Sequence, residues 1–162
     1  MALRFVSVLA ALLLLAACET SPTGSGGAGG AGGAGVNAPR PGTAEDFVVN
    51  VGDRVFYDFD KYNLKPEARD ILQRQATWLK KYPSVTISVE GHCDERGTRE
   101  YNLALGERRA NSAKNYLVAL GVNPNRVKTI SYGKERPAVN GSNDAAWAQN
   151  RRAVTVVSGA GS

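Results

Sequence analysis

The chain has 162 residues, 43% of them hydrophobic, and carries 20 Lys and Arg against 15 Asp and Glu for a formal charge of +5. That excess is mild, and the basic residues alternate with acidic ones instead of forming a block, which argues against a nucleic-acid-binding surface. The length allows one hydrophobic core of ordinary size but not two once the unusual N-terminal composition is set aside.

Residues 1–17 form the first segment. Arg4 is the only early charge, Phe5 to Ala17 is an apolar run broken only by Ser7, and Leu15-Ala16-Ala17-Cys18 follows. A run of about 13 residues is shorter than the roughly 20 that a membrane-spanning helix needs, so the pattern is that of a secretory signal peptide. A small-residue site ending on Cys resembles a lipobox. The resemblance implies cleavage before Cys18 and acyl chains on its thiol and amine, with no other cofactor expected. At about 0.8 kcal/mol per buried methylene, two or three chains hold a protein to a bilayer almost permanently. Lipoproteins kept in the inner membrane usually have Asp at the next position; Glu19 here implies the outer membrane, with the rest of the chain facing the periplasm. Loss of Arg4 lowers the formal charge to about +4. Acylation of Cys18 leaves Cys93 without a disulfide partner.

Residues 18–44 are a different material. Glu19 to Ala44 holds half of the chain's 18 glycines, Pro22, Pro39 and Pro41, and no aromatic residue. This is the composition of a flexible linker, with a root-mean-square span on the order of 30 Å and a stretched limit near 90 Å.

A globular composition runs over 45–158. Phe47-Val48-Val49 and then Val55-Phe56-Tyr57 with Phe59 predict an extended segment turning at Asn50 to Asp53. Pro66 suits the first turn of a helix in which Ala68, Ile71, Leu72, Ala76 and Leu79 recur on one side and Lys80 and Lys81 close the C-terminal end. Val85, Ile87 and Val89 alternate with Thr86, Ser88 and Glu90, the period of a half-buried strand. After the loop Gly91 to Gly97, Thr98 caps a second helix reaching about Leu120, with Leu103, Gly106, Ala110, Ala113, Leu117 and Leu120 along one face and Gly121 ending it. Val127, Ile130 and Tyr132 predict a third strand, Asp144 to Gln149 a short helix or turn, and Ala153 to Val157 a last strand, before a frayed tail at 159–162. Strands alternating with helices predict an α/β fold, here an α+β two-layer sandwich with one mixed sheet covered by helices.

The chemistry concentrates in Gly91-His92-Cys93-Asp94-Glu95-Arg96-Gly97-Thr98 and in Tyr101-Asn102, Leu105-Gly106 and Arg109-Ala110 just beyond. A strand, loop and helix in this order let Asp94 and Arg109 border one cleft. The residues alone leave open whether the two serve a ligand or brace loop against helix by pairing with each other. These motifs, with Phe56 to Tyr62, Tyr132 to Pro137 and Asn150 to Val154, resemble the OmpA-like peptidoglycan-binding domain over about residues 47–157. The lipobox, the linker and Cys93, where many relatives carry Thr, place the resemblance with the lipid-anchored subgroup.

The resemblance implies a ligand, the diaminopimelate of the peptidoglycan stem peptide, whose far end carries both an ammonium and a carboxylate. It places the family's acidic and basic pair on Asp94, facing the ammonium, and Arg109, whose planar fork suits the carboxylate. Phe59 and Asp60 match a second contact strip, Leu105 supplies apolar packing, and Asn102 orients the loop or the ligand. Arg151 and Arg152 fall in a matching motif and brace the fold or the cleft. The subgroup further implies the β-propeller protein TolB as a partner and a role at the dividing envelope.

An enzyme is not expected. There is no second His beside His92, four consecutive residues cannot converge on one metal ion, and no Ser nucleophile elbow is present. Cys93 is expected to be a small residue without chemistry, and His92 a structural hydrogen-bonding residue. A wall hydrolase and a module recognising another protein stand as rival readings.

Overall fold

The computed structural model describes residues 38–159, so the expected signal peptide, Cys18, most of the linker and the final three residues lie outside the described residues. Ordered structure begins ahead of Glu45. Thr43 caps the helical turn α1 (Ala44–Asp46) by accepting from the Asp46 N–H, and the π-helical turn Phe47–Val51 continues it. The extended segment expected at Phe47 to Val49 is therefore helical. Phe47 and Val51, one turn apart, are buried, whereas Val48 and Val49 face solvent. Strand propensity loses to local bonding around Asp46, whose carboxylate accepts from Gly42 N–H, Asn50 Nδ2 and Trp78 Nε1, each at 2.8 Å. Trp78 also meets the Phe47 ring edge-on at 4.9 Å between centroids. Gly52, at φ 94°, makes the expected turn.

The chain then forms β1 (Arg54–Phe56), α2 (Pro66–Lys81), β2 (Thr86–His92), α3 (Arg99–Ala119), a 3-10 turn (Pro124–Arg126), β3 (Val127–Gly133), α4 (Asp144–Asn150) and β4 (Arg152–Gly159). The sheet order is β1-β4-β2-β3, with β2 and β3 parallel and β4 antiparallel to both β1 and β2. The predicted α/β two-layer sandwich with one mixed sheet is what forms. Pro66 opens α2, and Ala68, Leu72, Ala76 and Leu79 are buried, joined by Gln75 and Trp78. Gln75 bridges layers, donating to Gly52 O and accepting from Thr155 Oγ1.

α2 and α3 cover the face carrying Ile87 and Val89, and Leu72, Leu79, Ala110, Ala113 and Leu117 complete the core. In β3 the inward positions are Val127, Ser131 and Gly133. Ile130, 41% exposed, lies on the other face, so the strand is correctly expected but part of its apolar signal points outward.

The tightest contact joins β2 to α3. A Cβ built on Gly91 would overlap the Gly106 carbonyl oxygen, and one on Gly106 would overlap the Ser131 hydroxyl. Gly91 excludes even a methyl group, whereas at Gly106 a methyl group would need the Ser131 side chain to turn away, so helix and strand meet here backbone to backbone.

The loops leaving β1, β2 and β3 and the entry to β4 meet at one end of the sheet. Tyr57 N–H still bonds Arg151 O at 2.9 Å and Cys93 N–H bonds Gly133 O at 2.8 Å, so the ladders run on into the loops and fix their first residues.

Candidate functional site

At that end of the sheet lies a cleft of about 180 Å³ lined by Phe59, Asp60, Cys93, Asp94, Arg96, Gly97, Tyr101, Asn102, Leu105 and Arg109. All six cleft residues singled out in the sequence are brought together here.

Arg109 is fully buried. Its Nε donates to Lys61 O at 2.8 Å, Nη1 to His92 O at 2.8 Å and Nη2 to Asp58 O at 3.1 Å. The side chain thus ties the loop after β1 to the end of β2. A guanidinium has five N–H groups, so one remains on each terminal nitrogen, the number a carboxylate needs for two parallel bonds. Burial lowers its pKa from the ordinary value, while Cys93, Tyr57 and Asp94 work against that shift. The Tyr57 hydroxyl donates to Arg109 O at 2.9 Å, and burial pushes the pKa of that phenol up to about 12.

Asp94 is also buried, at 3% exposure. It does not pair with Arg109. Its Oδ1 accepts from Arg96 N–H and Arg96 Nε, both at 3.2 Å, and its Oδ2 from Arg96 Nη2 at 2.7 Å and Arg151 Nη1 at 3.3 Å. Burial alone would raise the Asp94 pKa, but the Arg96 side chain and N–H together with Arg151 outweigh it and hold the carboxyl below its usual range.

The other positions divide the work. Asn102 Nδ2 donates to Arg96 O at 2.9 Å and Thr98 O at 3.0 Å, so its amide shapes the loop. Leu105 is buried in the cleft wall, whereas Phe59 stands 57% exposed at the rim. Asp60, held at φ 55°, accepts from the Tyr101 hydroxyl.

Arg96, like Gly97 and Tyr101, lines the cleft although sequence reasoning gave it no role. Its guanidinium carbon lies 4.0 Å from the Phe59 ring centre and 4.1 Å from that of Trp147, between two aromatic side chains from distant segments. The signal for Arg96 was its position two residues after Asp94; Trp147 gave none. Arg151 braces the cleft, reaching Asp94 and also Tyr57 O at 3.1 Å. Arg152 braces the fold, donating to Asn150 O and Arg136 O.

Two expectations about the loop meet different outcomes. Cys93 is buried, its thiol donates to Asn102 O at 3.3 Å, and burial pushes its pKa up to about 11, so it carries no thiolate chemistry at neutral pH. The His92 ring is not the hydrogen-bonding group expected. Both ring nitrogens are buried without a partner, and Glu90 at 3.8 Å is too far to serve. The backbone, through His92 O, makes the structural bond instead. Burial first, then the charge of Arg152, lower the imidazole pKa to about 4, and the approach of the Arg136 backbone, too poorly placed for a hydrogen bond, only partly offsets them.

Residues 56–151 match the model of the OmpA family. A peptidoglycan-associated lipoprotein of Mesorhizobium japonicum is 54% identical over 154 residues, covering 95% of this chain and 91% of the relative. One of Rhizobium meliloti is 58% identical over 125 residues, covering 77% and 71%. The crystal structure of the peptidoglycan-associated lipoprotein from Burkholderia pseudomallei is 44% identical and superposes with a TM-score of 0.64 over 65% of this chain and 89% of that one. The C-terminal domain of Helicobacter pylori MotB shares the fold at 24% identity, with a TM-score of 0.62 over 66% of this chain and 84% of that one. With the family match running from the end of β1 to the threshold of β4, more than half of the whole sequence, the chain belongs to the OmpA family.

Proposed function

We propose that this protein is an outer-membrane lipoprotein that binds peptidoglycan non-covalently and ties the outer membrane to the cell wall. Lipid on Cys18 forms one end of the tether, the cleft at Asp94 and Arg109 forms the other, and the glycine-rich linker supplies the reach between them. The group recognised is the diaminopimelate of the stem peptide. Asp94 receives its ammonium, and the two N–H groups that Arg109 has left receive its carboxylate. Phe59, Asp60 and Leu105 contact the ligand's remaining surface, and Asn102 holds the loop that carries Asp94.

The observation carrying this reading is that Asp94 and Arg109 line one cleft without pairing with each other: Asp94 is held by Arg96 and Arg151, and Arg109 by backbone carbonyls, so neither charge is spent on the other. The names borne by the relatives from Mesorhizobium and Rhizobium support wall association. As a member of the OmpA family the chain is a structural binding protein and not an enzyme. Within this reading it acts in the Tol-Pal system with TolB as a partner, supporting outer-membrane integrity and constriction at division.

The test is co-sedimentation of the soluble fragment 36–162 with purified sacculi. Wild type should sediment and release no soluble wall fragments, and Asp94→Ala should stay in solution. A folded Asp94→Ala protein that sediments as well as wild type would remove the cleft from the binding site. The anchor is tested separately: Cys18→Ser should take up no labelled fatty acid in cells, and label retained on the serine variant would refute lipidation there.

A further inference from the structure

Two carboxylate oxygens offer about four lone-pair sites, and at Asp94 all four are in use: two on Oδ1 by Arg96 N–H and Nε, and two on Oδ2 by Arg96 Nη2 and Arg151 Nη1. No acceptor position is left for an incoming ammonium. The Asp94 side chain is 4% exposed, that of Arg151 16% and that of Arg96 33%, so a cation approaching from solvent meets Arg96 first. Arg96 lines the cleft, and its guanidinium is seated between the Phe59 and Trp147 rings rather than anchored to backbone carbonyls like that of Arg109. Two of its three bonds to Asp94 come from the guanidinium, while the third, from its backbone N–H, keeps Asp94 oriented whatever the side chain does.

We propose that Arg96 is a built-in occupant of the ammonium site: its guanidinium sits on Asp94 in the free domain and is displaced when a ligand ammonium binds. This rests on the reading of Asp94 as the ammonium's acceptor. Displacement vacates two lone-pair sites on Asp94, leaves Arg151 and the Arg96 N–H in place, and takes a cation off the Trp147 ring. Ligand affinity is therefore set partly by how firmly Arg96 holds its seat, which makes Trp147 an affinity-determining residue outside the cleft lining and gives Phe59 a second role beyond its ligand contact.

The test uses fragment 36–162, which contains every residue of the hydrophobic core and the cap of its first helix. It is titrated with a soluble stem tripeptide bearing diaminopimelate, following both affinity and tryptophan emission. Wild type should bind with an emission change that disappears in Trp147→Phe, which still binds. Arg96→Ala should bind about fivefold more tightly, the factor corresponding to about 1 kcal/mol, with emission near the bound value before any ligand is added. Arg96→Lys, which keeps the charge but not the planar seat between the rings, should fall between the two. A folded Arg96→Ala that binds more weakly than wild type would make Arg96 a ligand contact and overturn the proposal. So would unchanged affinity with no Trp147 signal. If wild type and Arg96→Ala both fail to bind the tripeptide, the diaminopimelate reading falls and takes this one with it.

Discussion

Asp46 and Asp94 are both buried carboxylates, one beside the N-terminal helical turns and one in the cleft, and they are satisfied in opposite ways. Asp46 accepts from a backbone N–H, an amide and an indole, all neutral donors. Asp94 accepts from the side chains of two arginines, one of them a third exposed. Neutral donors in fixed positions make a closed structural knot, whereas a carboxylate held by long cationic side chains can exchange one cation for another. The kind of donor, more than the depth of burial, distinguishes a brace from a binding site.

Four experiments press on that distinction. The largest effect should come from Arg109, which joins both roles: Arg109→Ala removes three bonds from a buried guanidinium to backbone carbonyls and should cost about 4 kcal/mol of unfolding free energy, read by urea denaturation. Wall binding by this variant is informative only where it remains folded, and Arg109→Lys, keeping the charge without the fork, is the better test of the cleft. Asp46→Ala should cost about 3 kcal/mol by the same measurement, from three lost bonds, yet leave sacculus binding intact at temperatures where the domain is folded. Failure to bind when folded would show that the knot shapes the cleft from a distance.

Asp94→Ala should do the reverse. Its stability should change by no more than about 1 kcal/mol, because Arg96 remains partly solvated, while wall affinity falls about thirtyfold, or about 2 kcal/mol. A large melting shift without loss of binding would make Asp94 a second knot.

A fourth experiment varies pH. Buried His92 has a folded-state pKa near 4, below its ordinary 6.5. Between those values the unfolded chain takes up a proton that the folded one refuses, so stability present above pH 6.5 is lost as pH falls toward 4. The loss should be confined to that window, and His92→Phe should flatten it. Asp94 acts in the same direction at lower pH, because its depressed pKa favours the folded state only while the carboxyl is ionised.

The main helices and β2 were legible because their apolar residues repeat at the period of the element they form. Val85 to Val89 alternate, and Ala68 to Leu79 and Leu103 to Leu117 recur by turns. Phe47 to Val49 misled because the decisive partner of Asp46, Trp78, lies 32 residues away and no local pattern records it. Ile130 misled in a milder way, as an apolar residue on the uncovered face of a strand. In the cleft, the motifs at Phe56 to Tyr62 and Gly91 to Arg109, read through the family resemblance, were enough to gather the lining residues. What it could not show was how they are wired. Arg109 spends three of its donors on carbonyls up to 51 residues away, and the ring on one side of Arg96 comes from α4. His92 shows the complementary limit, since a sequence reveals a polar side chain but not that its surroundings offer no partner.

The Gly91 and Gly106 contact has a consequence for how this domain can change over time. Asp94 lies three residues beyond Gly91, and Arg109 three residues beyond Gly106, so the two charged groups stand on the jaws of a calliper whose pivot is backbone against backbone. Interchangeable side chains in the core can drift in size, shifting stability up or down, while the pivot keeps the jaw setting. Adaptation of the core and constancy of the cleft's span are thereby separated, except at Gly91, where a single added methyl group would force the jaws to move.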